Sequence, residues 1–370
     1  MGSIYNARVD RILGSGVVLD CGGSLSCRLE VVRPDVIRVF FLRDEKPRQP
    51  KTWTIVPSPR EDVPWEGAER LNLTAEHPGF QVDVKDVDGA VLVSTSAMQL
   101  HVNLSPLHFK WQSADGKVFA TDRICRPYGF GKKTSVLRHY MTRTPQDHFF
   151  GLGDKTGALN LAGRRLRTVM TDALGYDPES SDPLYKHWPF LIVRDAPSGV
   201  YYGMLYDNMS TATFDLGCEH SNYFGLYRTY EADDGDLDYY MIAGPGLAQV
   251  VSTHVELTGG MALGPRWTLG YHCTAMSLAD AENAQEKIEE FISDCKTNGV
   301  PCSAFHFGSG YTRCDETVKR GVVLALGSRN TKTGERERKG CLERVNVVVC
   351  FKSGGKWRKW GDAKYSFFSD

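Results

Sequence analysis

Ten cysteines and ten histidines give this 370-residue chain enough ligands for metal or thiol chemistry, but their spacing supports neither. No C-x-x-C pair occurs, and Cys21 and Cys27 are the two thiols closest in sequence. There is no H-E-x-x-H stretch and no Cys/His run with the intervals of a zinc site, so no metal or other cofactor is expected. Gly131-Lys132-Lys133 has the glycine–lysine step of a phosphate-cradling loop but lacks the Ser/Thr and the upstream glycine. Gly151, Gly153 and Gly157 are too irregular for a dinucleotide-binding turn. Near the end, Lys356-Trp357-Arg358-Lys359-Trp360 interleaves cations with aromatic faces, which would suit a nucleic-acid strand. Chain ends are commonly loose and charged, so the run reads as a solvated end and no nucleic-acid partner is expected.

The composition points to a globular scaffold. Hydrophobic residues make up 41% and charged residues 24%, and the net charge is −1. With that balance the chain has no electrostatic reason to seek nucleic acid or an anionic membrane. The first residues carry no apolar stretch of signal-peptide length, and no run is long enough to span a bilayer, so the expected location is the cytoplasm. In a reducing compartment the cysteines read as core or incidental thiols. Sequons begin at Asn72, Asn103 and Asn208, and without a secretion signal they are expected to be chance occurrences.

Short apolar runs mark the elements that position any site. Val17–Leu19, Leu29–Val32 and Val36–Leu42 are followed by runs at Phe80–Val84, Val91–Val93, Met98–Val102 and Phe109–Trp111. Asp88-Gly89 and Asp115-Gly116 fall between alternating runs as hairpin turns do. Further runs lie at Phe190–Val193, Val200–Leu205 and Asp238–Ile242. Strands at this density predict a β-sandwich over residues 1–265. The character then changes. Trp267–His272 reads as a buried strand, and Ser277-Leu278-Ala279-Asp280 as a capping box opening a helix from Ala281 to Lys296. Asn298-Gly299 ends that helix, and a second strand follows at Ala304–Phe307. Strand, helix and strand in this order predict one parallel βαβ unit over 266–313. Residues 314–370 carry 13 Lys and Arg against 7 Asp and Glu, a net of +6, whereas the preceding 313 residues hold 31 against 38, a net of −7. This tail lacks a βα rhythm and is expected to be poorly ordered.

Three blocks carry a family resemblance. Phe149-Phe150-Gly151-Leu152-Gly153-Asp154-Lys155 resembles the F-[FY]-G-L-G-[DE]-K segment of glycoside hydrolase family 31. Thr171-Asp172-Ala173-Leu174-Gly175-Tyr176, then Asp182-Pro183-Leu184-Tyr185-Lys186 and Pro189-Phe190, resemble its T-D-A-x-G-Y…PLYK…PF block. Leu257-Thr258-Gly259 and Arg266–His272 resemble the start of its barrel. The resemblance covers residues 1–313 and implies a fold that is mainly β. The implied architecture is a galactose-mutarotase-like β-sandwich followed by the first βαβ unit of an incomplete (β/α)8 barrel. A whole barrel takes about 250 residues.

The family's retaining chemistry needs two carboxylates about 5–5.5 Å apart, one attacking the anomeric carbon and the other moving the proton. In the family both are aspartates on later barrel strands. No W-x-D-M-N-E-like motif occurs here, since Trp360-Gly361-Asp362-Ala363 lacks the Asn-Glu that should follow. No catalytic residue is assigned, and the chain alone is expected to be inactive. The resemblance does place substrate-binding residues. Asp172 matches a loop that the sandwich sends to the barrel mouth, where its carboxylate would accept two sugar hydroxyls; otherwise it is an aspartate serving a turn. Tyr176 would line the same pocket, whereas Tyr185 and Trp188 are expected to pack the loop. His272 ends the first strand. His306 stands where many members carry W-L-D-I-D-Y, and is either a substitute hydroxyl partner or a satisfied core histidine. The implied partner is an α-glycoside or oligosaccharide. Two other functions remain open: a non-catalytic carbohydrate-binding module, and a sugar epimerase working through a His/Glu acid–base pair in the sandwich.

Overall fold

A computed structural model describes residues 4–58, 61–73, 83–87, 89–131, 134–219, 223, 225–307, 350–353 and 356–359. The chain divides into two compact units, Met1–Gly260 and Met261–Asp370.

The first unit is mainly β, built in chain order as follows. Two hairpins open it: β1 (Arg8–Leu13), β2 (Gly16–Asp20), β3 (Leu25–Arg33) and β4 (Val36–Arg43). A small hairpin of β5 (Lys51–Thr52) and β6 (Ala68–Glu69) comes next. β7 (Asp83–Val87), β8 (Ala90–Ser94), β9 (Met98–Leu104), β10 (Leu107–Ser113) and β11 (Val118–Thr121) form an antiparallel meander. Then come β12 (Tyr128–Phe130), β13 (Leu137–Thr142), β14 (His148–Gly151), β15 (Arg165–Thr168), β16 (Phe190–Arg194), β17 (Tyr201–Tyr206), β18 (Ala212–Asp215), β19 (Tyr227–Ala232) and β20 (Leu237–Gly244). The unit closes with α1 (Leu247–Thr258). The largest sheet has eight strands in the order β1-β2-β3-β4-β20-β17-β16-β14, and β12-β13-β19-β18-β15 make a second five-stranded sheet beside the meander.

The alternation read from the sequence is the burial pattern of these strands. Ile37, Val39 and Phe41 of β4 and Tyr239 and Met241 of β20 join the main core, which also takes in Val91, Leu100, Phe109 and Trp111 of the meander. Their neighbours Val36, Tyr240 and Ile242 point to the opposite face and form a second cluster with Val250 and Leu257 of α1. Period-2 side chains must part this way. A strand buried on both faces therefore reads as a continuous apolar run, as Val36–Leu42 does.

Arg38 interrupts that second face. It is 0% exposed, grips both Asp238 oxygens at 2.8 and 2.7 Å, and reaches Glu30 at 3.3 Å. Its guanidinium lies 4.4 Å from the Phe40 ring centroid. Arg70, also buried, donates to the Asp207 carbonyl at 2.6 Å and pairs with the Asp207 carboxylate at 3.2 Å. Buried charges persist only when paired this completely.

In the first unit the strand expectations are met wherever residues are described; Phe80–Gln81–Val82 and Asp88 lie outside them. α1 was not foreseen. It begins after Gly244-Pro245-Gly246 with no side-chain cap, and Val250, Thr253 and Leu257 form its buried stripe. Asn208 is 1% exposed and donates its amide to the Asp234 and Asp236 carbonyls at 2.8 and 3.2 Å, so no glycan can reach it.

The second unit corrects two expectations. Trp267–His272 is not one buried strand. Arg266–Leu269 form a 3-10 turn started by Pro265 (φ −61°), and the Gly270 N–H donates to the Trp267 carbonyl. β21 (Tyr271–Thr274) begins only afterwards and is largely exposed, because β22 (Cys302–His306) is its one partner among the described residues. Nor does Ser277 cap the long helix. It lies inside a single turn, α2 (Met276–Ala279), and α3 (Ala284–Thr297) starts from Asn283 without a side-chain cap. The C-terminal reading of α3 is met. Gly299 (φ 70°) donates to Lys296 O at 3.2 Å and Val300 to Cys295 O at 2.8 Å, the paired bonds of a Schellman motif. β21 and β22 run parallel on either side of α3, with Ala284, Ile288, Phe305 and Phe307 as their buried cluster. The basic tail falls largely outside the described residues. Within it β23 (Cys350–Ser353) pairs antiparallel with β24 (Lys356–Lys359).

Candidate functional site

The loop carrying Asp172 runs from the end of β15 to the start of β16, and a turn just after β14 braces it. Gly151, Leu152 and Gly153 all take positive φ, at 99°, 62° and 76°. A side chain at Gly151 would put its Cβ 2.5 Å from the Phe190 carbonyl oxygen, so glycine is required there. Beyond this turn Lys155, with only 4% of its side chain exposed, reaches Asp182 at 2.8 Å. The second Asp182 oxygen accepts the Arg167 N–H at 2.5 Å, and the Thr156 hydroxyl donates to Ser181 O at 2.7 Å. Asp177 accepts N–H bonds from Glu179 and Ser180 at 2.9 and 2.8 Å, which hold its carboxyl below the usual range. His187 bridges the Thr168 and Asn208 carbonyls at 2.9 Å each.

On this braced loop Asp172 is exposed, as are Tyr176 and Tyr185 at 52% and 43%. The Tyr185 phenol is pushed above its ordinary value first by partial desolvation, then by the charge of the Asp172 carboxylate, and then by Tyr176. Tyr185 was expected to pack the loop, but 43% of it is exposed. Trp188 is only partly packed: it lies 3.2 Å from where a Gly153 Cβ would be, with Lys186 5.0 Å above its ring, yet 55% of it is exposed. An exposed carboxylate can accept two hydroxyls, and an exposed tyrosine ring on the same loop offers a stacking face.

In the second unit the structure brings His272 and His306 together. His272 Nδ1 lies 3.1 Å from His306 Nε2, and the ring centroids are 5.3 Å apart. His272, second in β21, is level with Ala304, while His306 ends β22 level with Thr274. Both rings are exposed, and the Trp267 ring stacks on His272 at 6.1 Å. In such a contact one nitrogen donates and the other accepts, leaving His272 Nε2 and His306 Nδ1 as the nitrogens a ligand would meet. Among the described residues no group of three or more His, Cys, Asp or Glu side chains could hold a metal ion.

A histidine–carboxylate pair lies in the sandwich core. His139 Nε2 is 2.9 Å from Asp122, its Nδ1 is 3.0 Å from the Tyr206 hydroxyl, and Tyr128 donates to the same carboxylate. His139 and Asp122 are 1% and 0% exposed and stack among Tyr128 and Tyr239. A pair with no exposed surface cannot exchange protons with a sugar, so this network serves the core.

Residues 26–215 match the Glycosyl hydrolase 31 N-terminal galactose mutarotase-like domain. The chain belongs to glycoside hydrolase family 31. Among curated relatives, alpha-glucosidase 2 of Bacillus thermoamyloliquefaciens is 34% identical over 166 residues, covering 45% of this chain and 20% of the relative. Alpha-xylosidase XylQ of Lactiplantibacillus pentosus is 25% identical over 263 residues, covering 68% and 32%. The chain thus matches between a fifth and a third of these family 31 proteins. A GH31 dextranase of Flavobacterium johnsoniae, solved with isomaltotriose, superposes with a TM-score of 0.67 at 22% identity, covering 84% of this chain and 34% of that one. The alpha-1,4-glucan lyase of Gracilariopsis lemaneiformis gives 0.66 at 15% identity, covering 89% and 39%. At those identities the likeness is one of fold.

Proposed function

We propose that this chain is the sandwich-bearing part of a family 31 α-glycosidase, acting in the full-length enzyme on terminal α-linked glucosyl or xylosyl residues. The division of labour follows the expected domains: a sandwich to about residue 265, a barrel start over 266–313, and a tail that does not complete the barrel. The observation that carries the reading is that Asp172, Tyr176 and Tyr185 stand exposed on one loop braced by the Lys155–Asp182 pair. Loops fixed on a rigid scaffold are where binding residues concentrate. In this role Asp172 grips two hydroxyls of a glycosyl unit, Tyr185 holds its carboxylate in place, and Tyr176 lines the site. In the second unit, His272 Nε2 and His306 Nδ1 are the hydroxyl partners.

The chain by itself binds without cleaving. Losing either carboxylate of a retaining pair removes most of the rate enhancement, typically several orders of magnitude. No position in 1–370 carries the family's nucleophile motif. Incubation with a nitrophenyl α-glucoside and a nitrophenyl α-xyloside should release no nitrophenol above a blank. Release that disappears in Asp172→Ala would overturn the assignment of a non-catalytic chain.

A further inference from the structure

We propose that the β5–β6 hairpin is a second saccharide-binding surface, a platform of two tryptophans that takes a neutral chain of pyranose rings. Trp53 is 62% exposed and Trp65 92% exposed, both unusual for indoles. They are not loose. The Trp53 Nε1–H donates to the Trp65 carbonyl at 3.0 Å, which joins the two positions. Gly67 (φ 82°) packs directly on the Trp53 ring: a Cβ there would lie 2.9 Å from Cε2 and 3.0 Å from Cζ2. The ring is thus supported from one side and open on the other.

The hairpin is held to the sandwich by buried polar groups. The Thr52 hydroxyl donates to Asp207 at 2.9 Å, and Arg70, just after β6, donates to the Lys51 carbonyl at 3.3 Å and the Asp207 carbonyl at 2.6 Å. Burying a guanidinium to 1% exposure is costly, and here it fixes a surface hairpin whose exposed product is a pair of indoles. Such fixing reduces the ordering cost of binding.

The chemistry of the surface selects a sugar. The face of an indole carries partial negative charge and attracts the C–H-rich face of a pyranose ring. Beside it the Lys51–Glu69 ion pair, at 3.7 Å and with 36% and 53% of the side chains exposed, offers a hydroxyl acceptor and a donor. The two signs cancel, which fits a neutral ligand better than an anion. Platform and Asp172 loop share no residue, so the two sites can be tested apart.

The test is native electrophoresis of the full chain through gels containing soluble dextran or maltodextrin, with tryptophan fluorescence titrated against isomaltotriose. The wild type should be retarded, with emission shifted to the blue. Trp65→Ala removes a side chain that supports nothing and keeps the carbonyl that Trp53 uses. It should weaken retardation at least about tenfold, a difference of 1.4 kcal/mol, with an unchanged melting temperature. Trp53→Phe should weaken it less, and Asp172→Ala should remove only the part of the retardation that Trp65→Ala leaves. Retardation that survives Trp65→Ala but is lost in Asp172→Ala would overturn the platform while leaving the loop assignment standing. No retardation of the wild type would overturn the platform as well, even if Trp65→Ala changed the oligomeric state.

Discussion

The two units bury their apolar residues very differently. In the first, strands such as β4 and β20 are covered on both faces, and even their charges, Arg38 and Asp238, are paired out of solvent. In the second, a four-residue buried cluster holds β21, α3 and β22, while Met261, Leu263 and Met276 are 95%, 99% and 71% exposed. Among the described residues of the second unit, little apolar surface is therefore covered to stabilise the fold. The lesson is that the first unit is a self-sufficient scaffold on which site residues can be fixed, whereas the second has its chemistry, the His272–His306 pair, on a marginal support.

Asp238→Ala strikes the scaffold hardest. It leaves the Arg38 guanidinium buried without its bidentate partner, and the cost should be about 3–5 kcal/mol. Thermal unfolding of the first unit should shift down by many degrees. An unchanged melting temperature would show that the network does not support the double-sided sheet. Ile288→Ala is the matching blow to the second unit. Ile288 is 0% exposed against Phe305 and Phe307, and its loss should cost about 2–4 kcal/mol. Limited proteolysis should then cut within 261–307 far faster while residues 4–258 stay protected. Equal acceleration in both would show that the units do not unfold separately.

Smaller effects sharpen the picture within the scaffold. Burial pushes the His254 imidazole down from 6.5 to about 4 as it stacks 3.9 Å from Phe190 beneath α1. The folded chain keeps this ring neutral while the unfolded chain protonates it near the ordinary value. Stability is therefore full above pH 6.5, falls as the pH drops toward 4, and stays at the lower level below that. The loss should be roughly 2–3 kcal/mol. His254→Phe keeps the stack, and the difference between its pH–stability profile and the wild type's should flatten outside that window. A difference that does not vary with pH would remove His254 from the account. Lys155→Ala, which unpairs Asp182, should cost about 1–3 kcal/mol. It should also open the 169–188 loop to protease before the sheets, and a loop as protected as before would mean the brace is idle.

Much of the fold was legible in the sequence because sheet strands declare themselves by alternation, and Asp-Gly steps fix their turns. The reading failed where local signals compete. Trp267-Thr268-Leu269 looks like a strand, but Pro265 presets a helical turn and the Thr268 hydroxyl donates back to its carbonyl at 2.7 Å. Ser277 has a capping pattern, yet the chain spends it in a separate turn. α1 carried its stripe in Val250 and Leu257, hidden among neighbouring strand-like runs. At the site, the family blocks pointed to Asp172, Tyr176, His272 and His306; the first two are exposed on one loop and the last two lie side by side. The brace was missed, although Lys155 and Asp182 are opposite charges in two separate blocks. A contact across 27 residues depends on the turn at Gly151–Gly153, which spacing alone does not reveal.

The central claim is that Asp172 is held on a rigid loop to bind a sugar and does little for the fold. Glucose titrated into the wild type and into Asp172→Asn, followed by calorimetry beside melting curves, tests it most directly. Asp172 is exposed, so the substitution should change stability by less than about 0.5 kcal/mol. Glucose affinity should fall about tenfold or more, since a neutral amide accepts hydroxyls less strongly than a carboxylate. Equal affinity in the two proteins, or a large loss of stability in Asp172→Asn, would contradict it.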